Sequence, residues 1–233
     1  MVTRKALYSQ DADSLALPLM GTVHSVNLAV VRTGDWTGRL GRTGIDKRPA
    51  PGRVHVSVGG VTGDTVVDTA NHGAVCQAVY AFGIEDLAHW SSVLGRELVP
   101  GNAGENLSVG GTDVNDLVIG QRLRVGETVL RVTGPRIPCR VFAGFWSATG
   151  FVKRFTEHGR PGAYFAVEEP GEVWAGASIE ALSTPDHGVT VAEVFGVLRG
   201  RRRELDAHVA QALDDLPAAW AEDARGRMAL ATR

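Results

Sequence analysis

The chain has 233 residues, of which 44% are hydrophobic and 21% charged, and its net charge is −2. That suffices for one large core, or one core with a small appended unit, and a near-neutral balance gives no reason to expect nucleic acid or an acidic membrane as the main partner. No apolar run reaches the ~20 residues of a membrane span, no signal-peptide pattern is present, and two cysteines make no disulfide framework, so a reducing cytoplasm is the expected compartment.

Residues 1–20 mix polar and small apolar types without a period and read as a loosely docked extension. The run from Thr22 to Val31 is β-branched and apolar, a first strand. Gly34, Gly38, Gly41 and Gly44 then break any period, so residues 32–52 read as a loop carrying Lys47 and Arg48. Val54, Val56 and Val58 alternate with polar residues, as in a strand with one buried face. Two polar loops follow, at Gly63-Asp64 and His72-Gly73, with a short strand expected at Val66-Val67 between them. Cys76–Phe82 reads as a buried strand. Ile84–Leu94 reads as a helix with Leu87, Trp90 and Leu94 on one face, acidic residues in its first turn and Gly95 closing it.

Gly104-Glu105-Asn106-Leu107 belongs to a shaped polar loop. Leu123–Val125 and Val129–Val132 flank Gly126-Glu127 as a hairpin. The second of these strands runs into Gly134-Pro135-Arg136-Ile137-Pro138-Cys139-Arg140, where two prolines stiffen the backbone around the thiol. Residues 141–160 carry no clear period, and Ala163–Glu168 and Trp174–Leu182 read as further strands. Residues 183–188 form a linker. In residues 189–233, Thr190 with Glu193 makes a capping box. Leu205, Val209, Ala212, Leu213 and Leu216 then mark an amphipathic helix, with Pro217 stopping it and Trp220 just beyond. Many short strands with few helices predict a mainly β, mixed barrel over 21–182 plus a small helical C-terminal unit docked on it.

Several residues invite chemistry. Arg136 and Arg140 flank Cys139, and fixed positive charge favours the thiolate that a nucleophile, a sulfur carrier or a soft-metal ligand requires. Cys76 sits in an apolar run and reads as core. Arg136 can pair a phosphate, hold the thiolate or make a surface salt bridge. His72, with Gly73 beside it, is either a ligand contact or a hydrogen-bonded structural residue. Glu105 and Asn106 can meet a heterocycle's donor–acceptor edge or cap a turn, and Asp64 can do either as well. Lys47 and Arg53 face either a phosphate or solvent. The cluster Arg199, Arg201, Arg202 and Arg203 is a solvated turn or a landing patch for an acidic protein.

Gly63-Asp64, His72-Gly73 followed by Ala78-Val79-Tyr80, Gly104-Glu105-Asn106-Leu107, Ile119-Gly120 and Pro135-Arg136-x-Pro138-Cys139, in this order, resemble the MOSC family, named for the C-terminal domain of molybdenum cofactor sulfurases. The resemblance covers roughly residues 21–182. The pattern around Gly159–Tyr164, with Pro170-Gly171 after it and a helical tail, is similar to the stand-alone bacterial YiiM-like, hydroxylaminopurine-resistance branch. Ala74, Gln77 and Gln121 stand where the family commonly has glycine, lysine and aspartate.

The resemblance implies a MOSC-type β-barrel that binds molybdenum cofactor, a pterin dithiolene with a phosphate. It gives Cys139 the role of sulfur ligand to the molybdenum. Arg136, His72, Gly73, Glu105, Asn106, Asp64, Lys47 and Arg53 are the candidate cofactor contacts. The implied activity is a molybdenum-dependent oxidoreductase acting on N-hydroxylated bases. A sulfurtransferase with a persulfide on Cys139, or a non-catalytic cofactor-binding or storage module, are the alternatives. Two cysteines cannot ligate a built-in iron–sulfur cluster, which needs about four such ligands, and no dinucleotide fingerprint occurs. Neither flavin nor pyridoxal phosphate is expected in this chain, so electrons are expected from a separate flavin or iron–sulfur protein.

Overall fold

In the computed structural model residues 19–230 are described, so most of the expected N-terminal extension lies outside them. Among the described residues thirteen strands and six α-helices follow one another. They are β1 (Leu19–Ala29), β2 (Arg32–Thr33), β3 (Arg42–Thr43), β4 (Lys47–Pro49), β5 (Arg53–Ser57), β6 (Gly60–Val61), β7 (Val79–Gly83), α1 (Ile84–Leu94), β8 (Leu107–Gly110), β9 (Arg122–Val125) and β10 (Thr128–Pro135). The rest are α2 (Arg140–Trp146), α3 (Phe151–His158), β11 (Ala163–Glu169), β12 (Gly171–Trp174), β13 (Ser178–Ser183), α4 (Val191–Leu198), α5 (Asp206–Val209) and α6 (Ala218–Leu230).

Hydrogen-bonded neighbours run β13-β9-β10-β11-β7-β8-β1, and β1 pairs back onto β13, so the sheet closes into a mixed barrel. Closure leaves no free edge in the ring. All its pairs are antiparallel except β7–β8. A parallel pair cannot be joined by a tight turn, and here α1 and the segment up to Asn106 make the return. The far end of β1 also pairs with β4, and β12-β5-β6 forms a small outer sheet.

Inward valines and leucines of successive strands, among them Val23, Val79, Leu107, Leu123 and Val132, fill the barrel. A second, aromatic cluster lies outside it. Trp90 of α1, Phe142 and Trp146 of α2, and Phe151 and Phe155 of α3 meet there at centroid distances of 4.7 to 5.8 Å. This is the packing that turns residues 141–160 into two helices where periodicity alone gave nothing.

Other differences are local. Val66-Val67 forms no strand, and Cys76 sits in a 3₁₀ turn (Val75–Gln77) before β7, half-buried and outside the core. The segment read as one strand from Trp174 splits into β12 and β13. In the tail the Thr190–Glu193 capping box forms as expected. The helix expected over Leu205–Leu216 is instead a chain of short α and 3₁₀ turns, although Val209, Ala212 and Leu216 are still its buried face. Pro217 opens α6, accepting from the amides of Trp220 and Ala221, as suits a residue without its own amide hydrogen in a first turn. Val194, Val197, Val209 and Ala224 belong to the same buried cluster as the barrel interior, so the tail is docked. None of the described helices is long and apolar enough to cross a membrane.

Candidate functional site

The barrel's topology collects chemistry at one end. Strands β7 and β8, parallel to each other, begin there, and β1, antiparallel to β8, ends there; the end of β10 and the start of β11 come alongside through Tyr164, which pairs with Gly134 of β10 and Tyr80 of β7. Strand ends and connections at that end carry Lys47, Asp64, His72, Tyr80, Asn106, Arg136, Cys139 and Tyr164, which line one cavity of about 520 Å³.

Arg136 is its least ordinary wall residue. It follows the β10 end at Pro135 and is only 6% exposed. Its guanidinium lies over the rings of Phe142 at 4.5 Å and Tyr80 at 5.1 Å. Among the described residues no carboxylate forms an ion pair with it, and its buried Nε has no hydrogen-bond partner. Burial opposes its charge, but the tyrosine hydroxyls, Cys139 and Glu105 together hold it above the usual arginine value. A buried, unneutralised cation facing a cavity is costly unless an anion completes it.

Cys139 stands three residues on. Pro138 disfavours helical backbone at Ile137, and Cys139 is extended (φ −118°, ψ 171°) before α2 begins. Its carbonyl accepts from the Ala143 amide at 3.1 Å, and its half-buried thiol side lines the cavity. His72, on the opposite loop, has its pKa lowered to about 4 by burial and secondly by the Arg136 charge. It therefore presents a neutral imidazole at neutral pH.

Residues 68–180 match the MOSC domain. The uncharacterized protein YflK of Bacillus subtilis (strain 168) is 35% identical over 170 residues, which are 73% of this chain and 77% of YflK. The chain belongs to the MOSC domain family. YiiM of Escherichia coli (strain K12) is 26% identical over 156 residues, 66% of this chain and 69% of that protein. A protein named reductase from Gibberella moniliformis is 27% identical over 83% of this chain, which covers 35% of that longer protein. The crystal structure of YiiM from Geobacillus stearothermophilus superposes with a TM-score of 0.73 at 23% identity, over 89% of this chain and 99% of that one. The fold is thus the YiiM-like MOSC fold.

Within the MOSC cavity the expected contacts divide. Arg136, Cys139, His72 and Gly73 line it with groups open to a ligand. Gly73 has a second reason to be glycine, since its φ is +85° and a Cβ would come 3.2 Å from Val66 Cγ1. Lys47 and Asp64 line it too but are spent on each other in an ion pair. Asp64 also accepts from Asn106 Nδ2 at 2.8 Å and the Ala29 amide at 2.9 Å. Lys47 is held below its usual pKa, chiefly by burial, with Asp64 pulling the other way, so the pair offers a phosphate little net charge. Asn106 Oδ1 accepts from the Tyr80 amide at 3.2 Å, so its side chain ties β7 to β8.

Two expected contacts are corrected. Glu105 is fully buried behind the wall and accepts from the Gly101 amide (2.6 Å), the Ala103 amide (2.9 Å) and Ser108 Oγ (2.7 Å). It staples the loop instead of meeting a ligand, and burial raises its pKa against those hydrogen bonds. Arg53 is on β5 of the outer sheet, half-exposed, paired with Glu127 and laid over the Trp174 ring at 3.8 Å. The alternation of β5 turns it away from the core, and it does not reach the cavity.

Sequence reading missed Tyr80 and Tyr164, whose rings sit 5.1 Å apart beside Arg136. Alternation within β7 and β11 marks both as off the barrel's inner face, the available signal. The Thr37–Ile45 segment, read only as glycine-rich loop, supplies another wall. Gln77 lines the cavity, whereas Gln121 accepts from the Val118 amide at 3.0 Å in a turn away from it.

Proposed function

We propose that this cavity holds molybdenum cofactor, with Arg136 on its phosphate and Cys139 as the protein's sulfur ligand, and that the loaded protein reduces N-hydroxylated bases. The observation that carries the reading is a buried arginine with no ion-paired carboxylate among the described residues, facing a cavity of about 520 Å³ whose wall also bears a thiol. Volume, anion partner and soft donor are the three things such a pterin asks of a protein. Among the described residues no group of three or more His, Cys, Asp or Glu could hold a metal alone, so a metal there would bring most of its ligands with it.

When bound, the cofactor supplies the two-electron redox chemistry. The chain's own residues bind and orient. Arg136, with no carboxylate to compete, is available to a phosphate as a charge-assisted donor. Its place over Tyr80 and Phe142 fixes the fork in a water-poor wall, where its charge counts for more than in bulk water. Neutral His72 can donate or accept at the cavity without adding charge. Arg39, Arg42 and Arg140 are exposed at the mouth with no ion pair among the described residues, which favours entry of an anionic ligand. Electrons come from a separate flavin or iron–sulfur protein, and the small N-hydroxylated substrate enters by the same mouth. The similarity to a protein named reductase supports an oxidoreductase over a storage module.

The test is metal analysis of protein from a molybdate-fed host, followed by turnover of a hydroxylaminopurine with a flavin reductase as donor. The expected result is about one molybdenum per chain and turnover that Cys139→Ser abolishes. Protein carrying a persulfide on Cys139 and no molybdenum would overturn the reading in favour of a sulfur carrier.

A further inference from the structure

The helical tail reaches the cavity from behind. Trp220, in the first turn of α6, stacks on Tyr164 with centroids 6.1 Å apart and planes 29° from parallel. The same indole covers Gly134 so closely that a Cβ there would come 2.5 Å from Trp220 Cζ3 and 2.6 Å from Cε3. Gly134 and Tyr164 are directly paired across β10 and β11, at a register shift. One ring therefore rests on both members of a strand pair. From that pair the chain reaches Arg136 two residues later. Through the other partner it reaches the Tyr164 hydroxyl, whose pKa burial raises and the Arg136 charge pulls back down. Tyr80, packed on Tyr164 at 5.1 Å, offers its face to the same guanidinium.

Trp220 is itself pinned. Its amide donates to the Pro217 carbonyl at 2.9 Å, α4 packs between β10 and α6, and Arg131 of β10 donates to the Asp215 carbonyl at 3.4 Å. Neither the barrel match at residues 68–180 nor the candidate contacts of the cavity include any part of this tail.

We propose that Trp220 is a positioning residue of the cavity, which by pressing on the Gly134–Tyr164 pair sets where the Arg136 guanidinium stands relative to Cys139. The tail is then part of the binding site's frame and not an accessory. The proposal rests on reading the cavity as an anion site with Cys139 in its wall.

The Cys139 thiolate can report the guanidinium's position without any cofactor. It displaces iodide from iodoacetate or from iodoacetamide, forming a thioether, and only the first reagent is anionic. The ratio of the two rates measures the local positive charge. The full chain, purified without added molybdate and carrying Cys76→Ser so that one thiol reacts, gives the parent ratio. Arg136→Gln is expected to lower that ratio severalfold. Trp220→Ala is expected to lower it nearly as far, with Trp220→Phe retaining most of it because a ring still fills the space. Gly134→Ala, which displaces the indole from the other side, is expected to match Trp220→Ala, so the result does not hang on the folding of one variant. If Arg136→Gln lowers the ratio while Trp220→Ala and Gly134→Ala leave it unchanged, the tail only stabilises the fold and the proposal fails. If Arg136→Gln itself leaves the ratio unchanged, the anion-site reading fails with it.

Discussion

Arg136→Met isolates the cost of keeping a charge where the fold does not need one. The two side chains are close in volume, and the arginine is 6% exposed with an unpaired Nε and no carboxylate partner among the described residues. Replacing buried charged groups by apolar ones of similar volume is neutral to stabilising by about 1–4 kcal/mol. Against that stand two ring faces, Tyr80 and Phe142, each giving about 0.5–2 kcal/mol to a cation. Two such contacts come to about 1–4 kcal/mol and cancel that gain, so methionine should leave the ligand-free stability within about 1 kcal/mol of the parent. A chain of this size shifts its melting temperature by about 2–4 °C per kcal/mol, so the variant should melt within a few degrees of the parent. Urea and thermal unfolding in phosphate-free buffer provide the measurement. Adding inorganic phosphate should raise the stability of the parent by mass action and leave Arg136→Met unmoved. A variant less stable than the parent by more than about 1 kcal/mol would refute the reasoning, because the guanidinium would then be holding the fold instead of waiting for an anion.

Two further outcomes follow from the same wall. His72 has a folded pKa of about 4 against an ordinary 6.5, so between those values the unfolded chain binds more protons than the folded one. Stability should rise with pH across that window and be complete above 6.5; His72→Asn should flatten that part of a urea-denaturation profile, and an unchanged slope would count against the burial assigned to the ring. Glu105→Gln keeps the size of the loop staple but cannot accept from all three of its partners. It should cost about 1–3 kcal/mol in chemical denaturation, the range for stranding a buried donor, and no loss would mean that the loop does not depend on that carboxylate.

The parts of this molecule that were legible in its sequence were those set by local rules. Valine alternation gave β5, the Gly126-Glu127 turn gave the β9–β10 hairpin, and Thr190 with Glu193 gave the start of α4, because each depends on neighbours within a few residues. Helices α2 and α3 were not legible. They have 7 and 8 residues, too short for a period to emerge, although Phe142/Trp146 and Phe151/Phe155 do stand four apart on buried faces. At the cavity, the order of the motifs brought Arg136, Cys139, His72 and Gly73 to one place. It could not tell a residue that faces the cavity from one that holds its wall. Glu105 was misjudged because its partners are backbone amides, which a sequence does not display. Lys47 does line the cavity, but its ion pair with Asp64, seventeen residues on, is a pairing that no local pattern displays. Arg53 was misjudged because β5 pairs with β12 in a separate sheet, a pairing more than a hundred residues apart in sequence.

The closure of the barrel through β1 has a consequence for anyone cutting the gene. The stretch that matches the MOSC domain, residues 68–180, begins after β1 and stops inside β13. β1 is the strand that hydrogen-bonds both β8 and β13. A fragment trimmed to the match would expose β8 and the remnant of β13 as two bare edges, each a template for pairing with another copy. It would also lack Lys47 and Asp64, which together engage the Asn106 loop. The stretch by which relatives recognise one another is therefore smaller than the piece of chain that can be expressed, since the first strand of the barrel is also its clasp.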